Sequence, residues 1–187
     1  MVIKSMFSFF RARLRKYVLE EVWIEDYIKM GMRIGDNCSI QPGVTFDYSH
    51  CWLIKIGNNV TIAPQAYLLT HDASTKREKK YTKVGSITIE DNVFIGARAL
   101  IMPGVTIGQN SIVAVGSVVT KCIPQGSIVA GNPAKVISSI EKYMEKTEML
   151  MDSAKVYDAS YTISGNISSQ DKAKMYEELI NKIGFVV

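Results

Sequence analysis

The sequence is poor in histidine, in cysteine and in long apolar runs, and each shortage excludes something. Two histidines, His50 and His71, occur in 187 residues. One chain therefore cannot supply a zinc centre held by three histidines. Three cysteines, Cys38, Cys51 and Cys122, form no CxxC pair. An odd number at wide spacing argues against a disulfide framework and for a reducing compartment. No apolar run approaches a membrane span. The apolar stretch Phe7 to Phe10 is cut short by Arg11 with no small-residue cleavage site after it, so a cytoplasmic location is expected. The net charge of +4 is mild, and no basic stripe is interleaved with aromatics, which argues against nucleic acid as a partner. The length suits one domain with a sizeable core.

What the sequence does have is a repeat. Large apolar residues recur every sixth position: Ile34, Ile40, Phe46, then Ile56, Ile62, Leu68, then Ile89, Ile95, Ile101, Ile107, Val113 and Val119. Four residues after most of them stands a small or β-branched residue, among them Cys38, Val44, Val60, Ala66, Val93, Ala99, Val105, Ser111 and Ser117. A period of six is neither helical nor a simple alternation. It suits a prism in which each unit makes a short strand and a corner, three units close one coil, and the large and small residues point inward. One coil cannot bury its own interior, so coils must stack, about 4.8 Å apart.

The stretch 95–108, Ile-Gly-Ala-Arg-Ala-Leu-Ile-Met-Pro-Gly-Val-Thr-Ile-Gly, together with 115–121, Val-Gly-Ser-Val-Val-Thr-Lys, and 129–137, Val-Ala-Gly-Asn-Pro-Ala-Lys-Val-Ile, resembles the signature of the hexapeptide-repeat acyltransferases. The resemblance covers over half the chain. It implies an all-β repeat, a left-handed parallel β-helix, and use of acetyl-coenzyme A as co-substrate with no metal required. It also implies a homotrimer. The expected organisation is an N-terminal helical cap over 1–33, the β-helix over 34–137 with a loop at 74–88, and a helical extension over 138–187.

The register breaks at two places, and both fall after the third unit of a coil, at the same corner. One break is four residues long, within Asp47 to Lys55; the other is fifteen, about 74 to 88. Long loops on a rigid repeat usually carry function. His71 lies just before the longer one and should face outward, three residues past inward-facing Leu68. Gly104, counted without the loop, lies eighteen positions above it and leaves an open slot. Thr70-His71-Asp72 matches the place where the family carries its catalytic histidine, so His71 is the expected general base. A free imidazole titrates near 6.5, which suits proton abstraction from an alcohol attacking a thioester. Its other ring nitrogen needs an acceptor: Asp72, a backbone carbonyl, or Asp47 from the coil below. Asp47 and His50 are also candidate acceptor-binding residues, and His50 is alternatively a packed neighbour of Trp52. Cys51 is read as packing under the loop rather than as an acyl carrier.

For the coenzyme, Ala97 and Val115 resemble family positions whose backbone meets the pantetheine arm. Thr120, Lys121 and Lys135 resemble positions near its phosphates, where cations are complementary. The loop 76–83 carries excess positive charge. Residues 5–29 read as a basic amphipathic helix that caps the first coil, with contact to an anionic membrane as the less favoured use. Residues 138–155 and 169–183 read as helices. The expected function is an acetyltransferase moving acetyl from acetyl-coenzyme A to a hydroxyl of a sugar or polysaccharide precursor. The alternatives are an antibiotic acetyltransferase and a non-catalytic scaffold.

Overall fold

A computed structural model describes residues 23–187. The chain forms two compact units, the first ending at Ile140 and the second spanning Glu141–Val187. In the first, the period of six becomes three parallel sheets. The first wall stacks Arg33–Ile34, Ile54–Ile56, Ile87–Ile89 and Thr106–Ile107. The second stacks Ser39–Ile40, Thr61–Ile62, Phe94–Ile95, Ile112–Val113 and Ser127–Gly131, and is closed by the antiparallel strand Ala134–Ser139. The third stacks Thr45–Phe46, Tyr67–Leu68, Leu100–Ile101 and Val118–Val119.

The walls hold because the residue of each strand that continues the six-residue period is apolar and points inward. Ile95 pairs in register with Ile62 and Val113, and Ile101 with Leu68 and Val119. Ten of the twelve periodic positions are buried; Ile34 and Ile40 are only partly so. Both belong to the first coil, which has no coil beneath it among the described residues. Each fully buried Ile or Val contributes about 1.5–3 kcal/mol of apolar transfer. At the corner from the first wall to the second, Asn37, Asn59, Asn92 and Asn110 all hold φ between 54 and 57°. Asparagine tolerates that left-handed geometry.

The expected helix over 5–29 lies mostly outside the described residues. Its described end is α1, Ile24–Lys29, which buries Tyr27 edge-on against Phe46, with ring centroids 5.4 Å apart. The shorter insertion folds as a 3-10 segment, Tyr48–Leu53, whose N-cap Asp47 accepts from the Ser49 backbone N–H. The longer excursion is a small antiparallel hairpin, His71–Asp72 against Lys83–Val84, with a one-turn helix α2, Lys76–Lys79, at its tip. It ends earlier than the sequence boundary of 88, because Ile87 is fully buried and begins a wall strand.

The second unit corrects the expectation of a purely helical extension. Two helices are present, α3 over Ile140–Ser153 and α4 over Ser169–Glu178. Between and after them, Lys155–Tyr157 and Gly184–Val186 form a parallel strand pair. Tyr157 is buried and donates its hydroxyl to Glu178 at 2.9 Å. Strand 134–139 also runs two residues, Ser138 and Ser139, past the expected end of the β-helix at 137.

Candidate active site

The corner from the third wall back to the first carries both insertions and brings Asp47, His50 and His71 together. Asp47 follows the third-wall strand of the first coil, and His71 follows that of the second. The coil stacking therefore places a residue 24 positions earlier beside the histidine. Asp47 is 2% exposed. Its Oδ1 accepts from the Ser49 N–H at 3.0 Å. Its Oδ2 accepts from the Thr70 N–H at 2.9 Å and the Thr70 hydroxyl at 2.8 Å. The same Oδ2 lies 2.5 Å from Nδ1 of His71. Burial pushes the Asp47 carboxyl upward, but the hydrogen bonds from His71 and Thr70 outweigh it and hold it below the ordinary range. An ionised carboxylate only accepts. Nδ1 of His71 therefore carries a hydrogen, and in the neutral imidazole Nε2 has the lone pair. The His71 side chain is 29% exposed, enough to meet a substrate.

Asp72, the neighbour in sequence, is turned to the opposite face of its strand. Its carboxylate is paired with Lys83 at 2.6 Å, and that lysine together with Ser74 holds its titration far below the usual range. The acceptor capacity of Asp47 is taken up by Ser49, Thr70 and His71. In this arrangement Asp47 is the hydrogen-bonded neighbour of the histidine.

His50 stacks near both rings of interest. Its centroid lies 5.7 Å from that of His71 and 5.2 Å from that of Trp52. Nδ1 of His50 is buried and finds no partner among the described residues. Trp52 and Tyr48, from the same insertion, are 50% and 60% exposed. The repeat pattern singles out neither aromatic, nor Thr70, whose hydroxyl steadies Asp47. An aromatic-rich insertion at the histidine corner is the one sequence signal for the first two. Cys51 is fully buried and its thiol is pushed up by burial, so it is not an accessible nucleophile.

The slot above His71 is arranged differently from the expected one. Gly104 does sit over open space, with φ +84° and no atom within 4 Å of a would-be Cβ. Below it, however, lies Gly85, returning from the hairpin so closely that a Cβ there would meet the Gly104 nitrogen at 2.5 Å. The result is a cleft of about 410 Å³ on the Asp72 face of the hairpin, lined by Asp72, Lys83, Val84, Gly85, Met102, Pro103, Gly104 and Thr120. Its volume is in the range of small-molecule sites.

The coenzyme candidates divide between corners. Thr120 and Lys121 follow the third wall and share the corner of His71. Ala97 and Val115 lie at the preceding corner, between the second and third walls, with Val115 71% exposed. Lys135 lies on the closing strand 134–139.

A model of the hexapeptide repeat of succinyl-transferase matches residues 86–121. Protein CapG of Staphylococcus aureus is 46% identical over 130 residues, spanning 65% of this chain and 74% of that protein. The chain belongs to the hexapeptide-repeat acetyltransferase family. A hexapeptide-repeat acetyltransferase of Vibrio cholerae, solved in complex with acetyl-coenzyme A, is 37% identical at a TM-score of 0.53, covering 58% of this chain and 60% of that one. The polySia-specific acetyltransferase NeuO is 30% identical at a TM-score of 0.50, covering 57% of this chain and 50% of that one. The chain thus spans less than two thirds of either solved neighbour. Membership implies the left-handed sense of winding for the three walls.

Proposed function

We propose that the protein transfers an acetyl group from acetyl-coenzyme A directly to a hydroxyl of a saccharide or polysaccharide precursor, with His71 as general base. The observation that carries this reading is the contact of Nδ1 of His71 with a buried, fully bonded Asp47. It leaves Nε2 as a proton acceptor and puts a negative charge where an imidazolium would form. The acceptor hydroxyl gives its proton to Nε2 as its oxygen attacks the thioester carbonyl. The tetrahedral adduct collapses, the carbon–sulfur bond breaks, and the leaving thiolate takes the proton back from His71. Asp47 orients the ring and stabilises its charged form, and Thr70 holds Asp47.

The saccharide class draws support from Trp52, a half-exposed aromatic ring beside His50 that suits the C–H face of a sugar ring, and from the exposed Tyr48 of the same insertion. His50 packs near both Trp52 and His71 and is assigned to the acceptor side. The polySia specificity in NeuO's name agrees with that class. On the coenzyme side, Thr120, Lys121 and Lys135 are assigned to the phosphate end and Ala97 and Val115 to the pantetheine arm. Ala97 and Val115 are one wall away from His71 in the same chain, which favours a homotrimer in which a neighbour supplies the second corner. The wall faces agree. Outward positions of the first wall are all polar (Arg33, Lys55, Thr88, Thr106), whereas the second wall carries Phe94 and Ile112 beyond Ser39 and Thr61, and the third carries Tyr67, Leu100 and Val118 beyond Thr45. No helix among the described residues is long and apolar enough to cross a membrane. The free cysteines agree with a cytoplasmic site of action.

The test is a screen of sugars, nucleotide sugars and antibiotics for release of free thiol from acetyl-coenzyme A, with His71→Ala as control. Saccharide-dependent release that vanishes in the control supports the reading. Release with antibiotics alone moves the acceptor class, and saturable coenzyme binding without any transfer identifies a scaffold.

A further inference from the structure

We propose that Asp47, His50 and His71 also form a binding site for a divalent cation of the zinc class, and that occupancy of this site switches the enzyme off. Both histidines of the chain meet here, and one donor atom from each ring and from the Asp47 carboxylate lie within 4.8 Å of one another. Donors around a tetrahedral zinc, each at about 2.0–2.2 Å from the metal, stand roughly 3.3–3.6 Å apart. Closing the present triangle to that size draws the three donors inward, and the cation takes the place of part of the hydrogen bonding that Asp47 now accepts from Ser49, Thr70 and His71. Two imidazoles and one carboxylate suit zinc better than calcium or magnesium, which prefer all-oxygen shells, and they leave a coordination position open.

A second observation points to a ligand. Nδ1 of His50 is buried and has no protein partner among the described residues, whereas buried polar atoms are normally bonded. The Trp52 ring packs beside the His50 ring, at 5.2 Å between centroids. Asp47 meanwhile holds a negative charge in a buried position, which a cation complements.

Inhibition follows whichever nitrogen of His71 the cation takes. Ligation through Nε2 occupies the lone pair that would accept the proton of the attacking hydroxyl. Ligation through Nδ1 inserts the cation between His71 and Asp47 and moves the ring hydrogen to Nε2, with no net proton released. The lone pair is again lost. The inhibitory half of this proposal rests on His71 being the base; the binding half does not.

The experiment separates the two. The chelator-treated full-length protein is titrated with Zn²⁺ against a chromophoric chelator, and with Co²⁺ by visible absorption. One cation per chain is expected, with a Kd below about 10 μM, and the Co²⁺ spectrum should lack a thiolate charge-transfer band. The imidazole NMR signals of both histidines should shift together. His50→Ala and the more conservative His50→Gln should each weaken binding at least tenfold, and His71→Ala should abolish it. Absence of binding, a thiolate band, or affinity unchanged in both His50 variants overturns the site and leaves the assignment of His71 untouched. In the activity arm, Zn²⁺ should inhibit acetyl transfer with the same midpoint as binding, and excess chelator should restore the rate. Tight binding at both histidines without inhibition overturns the switch and the role of His71 as base together.

Discussion

Replacing Asp47 by Asn changes one atom and removes one charge at the most constrained point of the site. The wild-type carboxylate accepts from four donors: the Ser49 N–H, the Thr70 N–H, the Thr70 hydroxyl and Nδ1 of His71. An amide has one oxygen. If that oxygen keeps the place of Oδ2, the NH₂ group faces the Ser49 N–H and one buried bond is lost, at a cost of about 1–3 kcal/mol. The histidine then keeps its tautomer but loses its counter-charge. If the amide flips, the NH₂ group faces Thr70 and His71, Nδ1 must accept, and the hydrogen moves to Nε2, where it blocks proton abstraction. The equivalent Asp→Asn change in a Ser–His–Asp triad lowers turnover about 10⁴-fold through the wrong tautomer. A drop in kcat of about 10²- to 10⁴-fold is therefore expected, with KM for acetyl-coenzyme A little changed. The assay is thiol release under saturating acceptor, with unfolding followed in parallel by denaturant titration. The stability gap should also depend on pH. The folded-state pKa of Asp47 is depressed. Its contribution is therefore present above the ordinary carboxylate range and lost as pH falls through the folded value, so the wild type and the variant should converge in acid. A variant with kcat within threefold of wild type would show that Asp47 does not orient the base.

Three further outcomes are expected. His71→Ala should lose about 10²- to 10⁴-fold in kcat with the fold intact by circular dichroism, and His50→Ala should lose much less; equal losses would reverse the two roles. Replacing 75–81 with a short glycine turn should leave the melting temperature nearly unchanged, because α2 buries no residue and closure entropy changes by only about 0.6 kcal/mol per doubling of loop length. Acceptor affinity should fall in that variant, and a large loss of melting temperature with unaltered acceptor kinetics would make the hairpin structural. Sedimentation equilibrium should give three times the chain mass; a clean monomer at micromolar concentration would remove the reason for assigning Ala97 and Val115 to the same composite site as His71.

The six-residue period was enough to determine the interior. Burial of a large residue every sixth position needs no knowledge of distant contacts, because each coil repeats the environment of the last, and Ile56 through Val119 obey it. It also pointed to the corner of the candidate site, since both insertions interrupt the same unit. Tertiary structure alone decided the partner of His71. Asp72 is adjacent in sequence, yet strand alternation turns it away and Lys83 takes its charge. Asp47 is 24 residues distant, yet stacking of two coils brings it to 2.5 Å. Its exact placement depends on how Tyr48–Leu53 folds back on Ser49 and Thr70, and no periodicity encodes that. The same holds for Gly85, which fills the place beneath Gly104 only because the hairpin returns there. The short strands Lys155–Tyr157 and Gly184–Val186 exist by pairing with each other. Three residues carry no period of their own, so their extended form is a property of the contact and not of either segment.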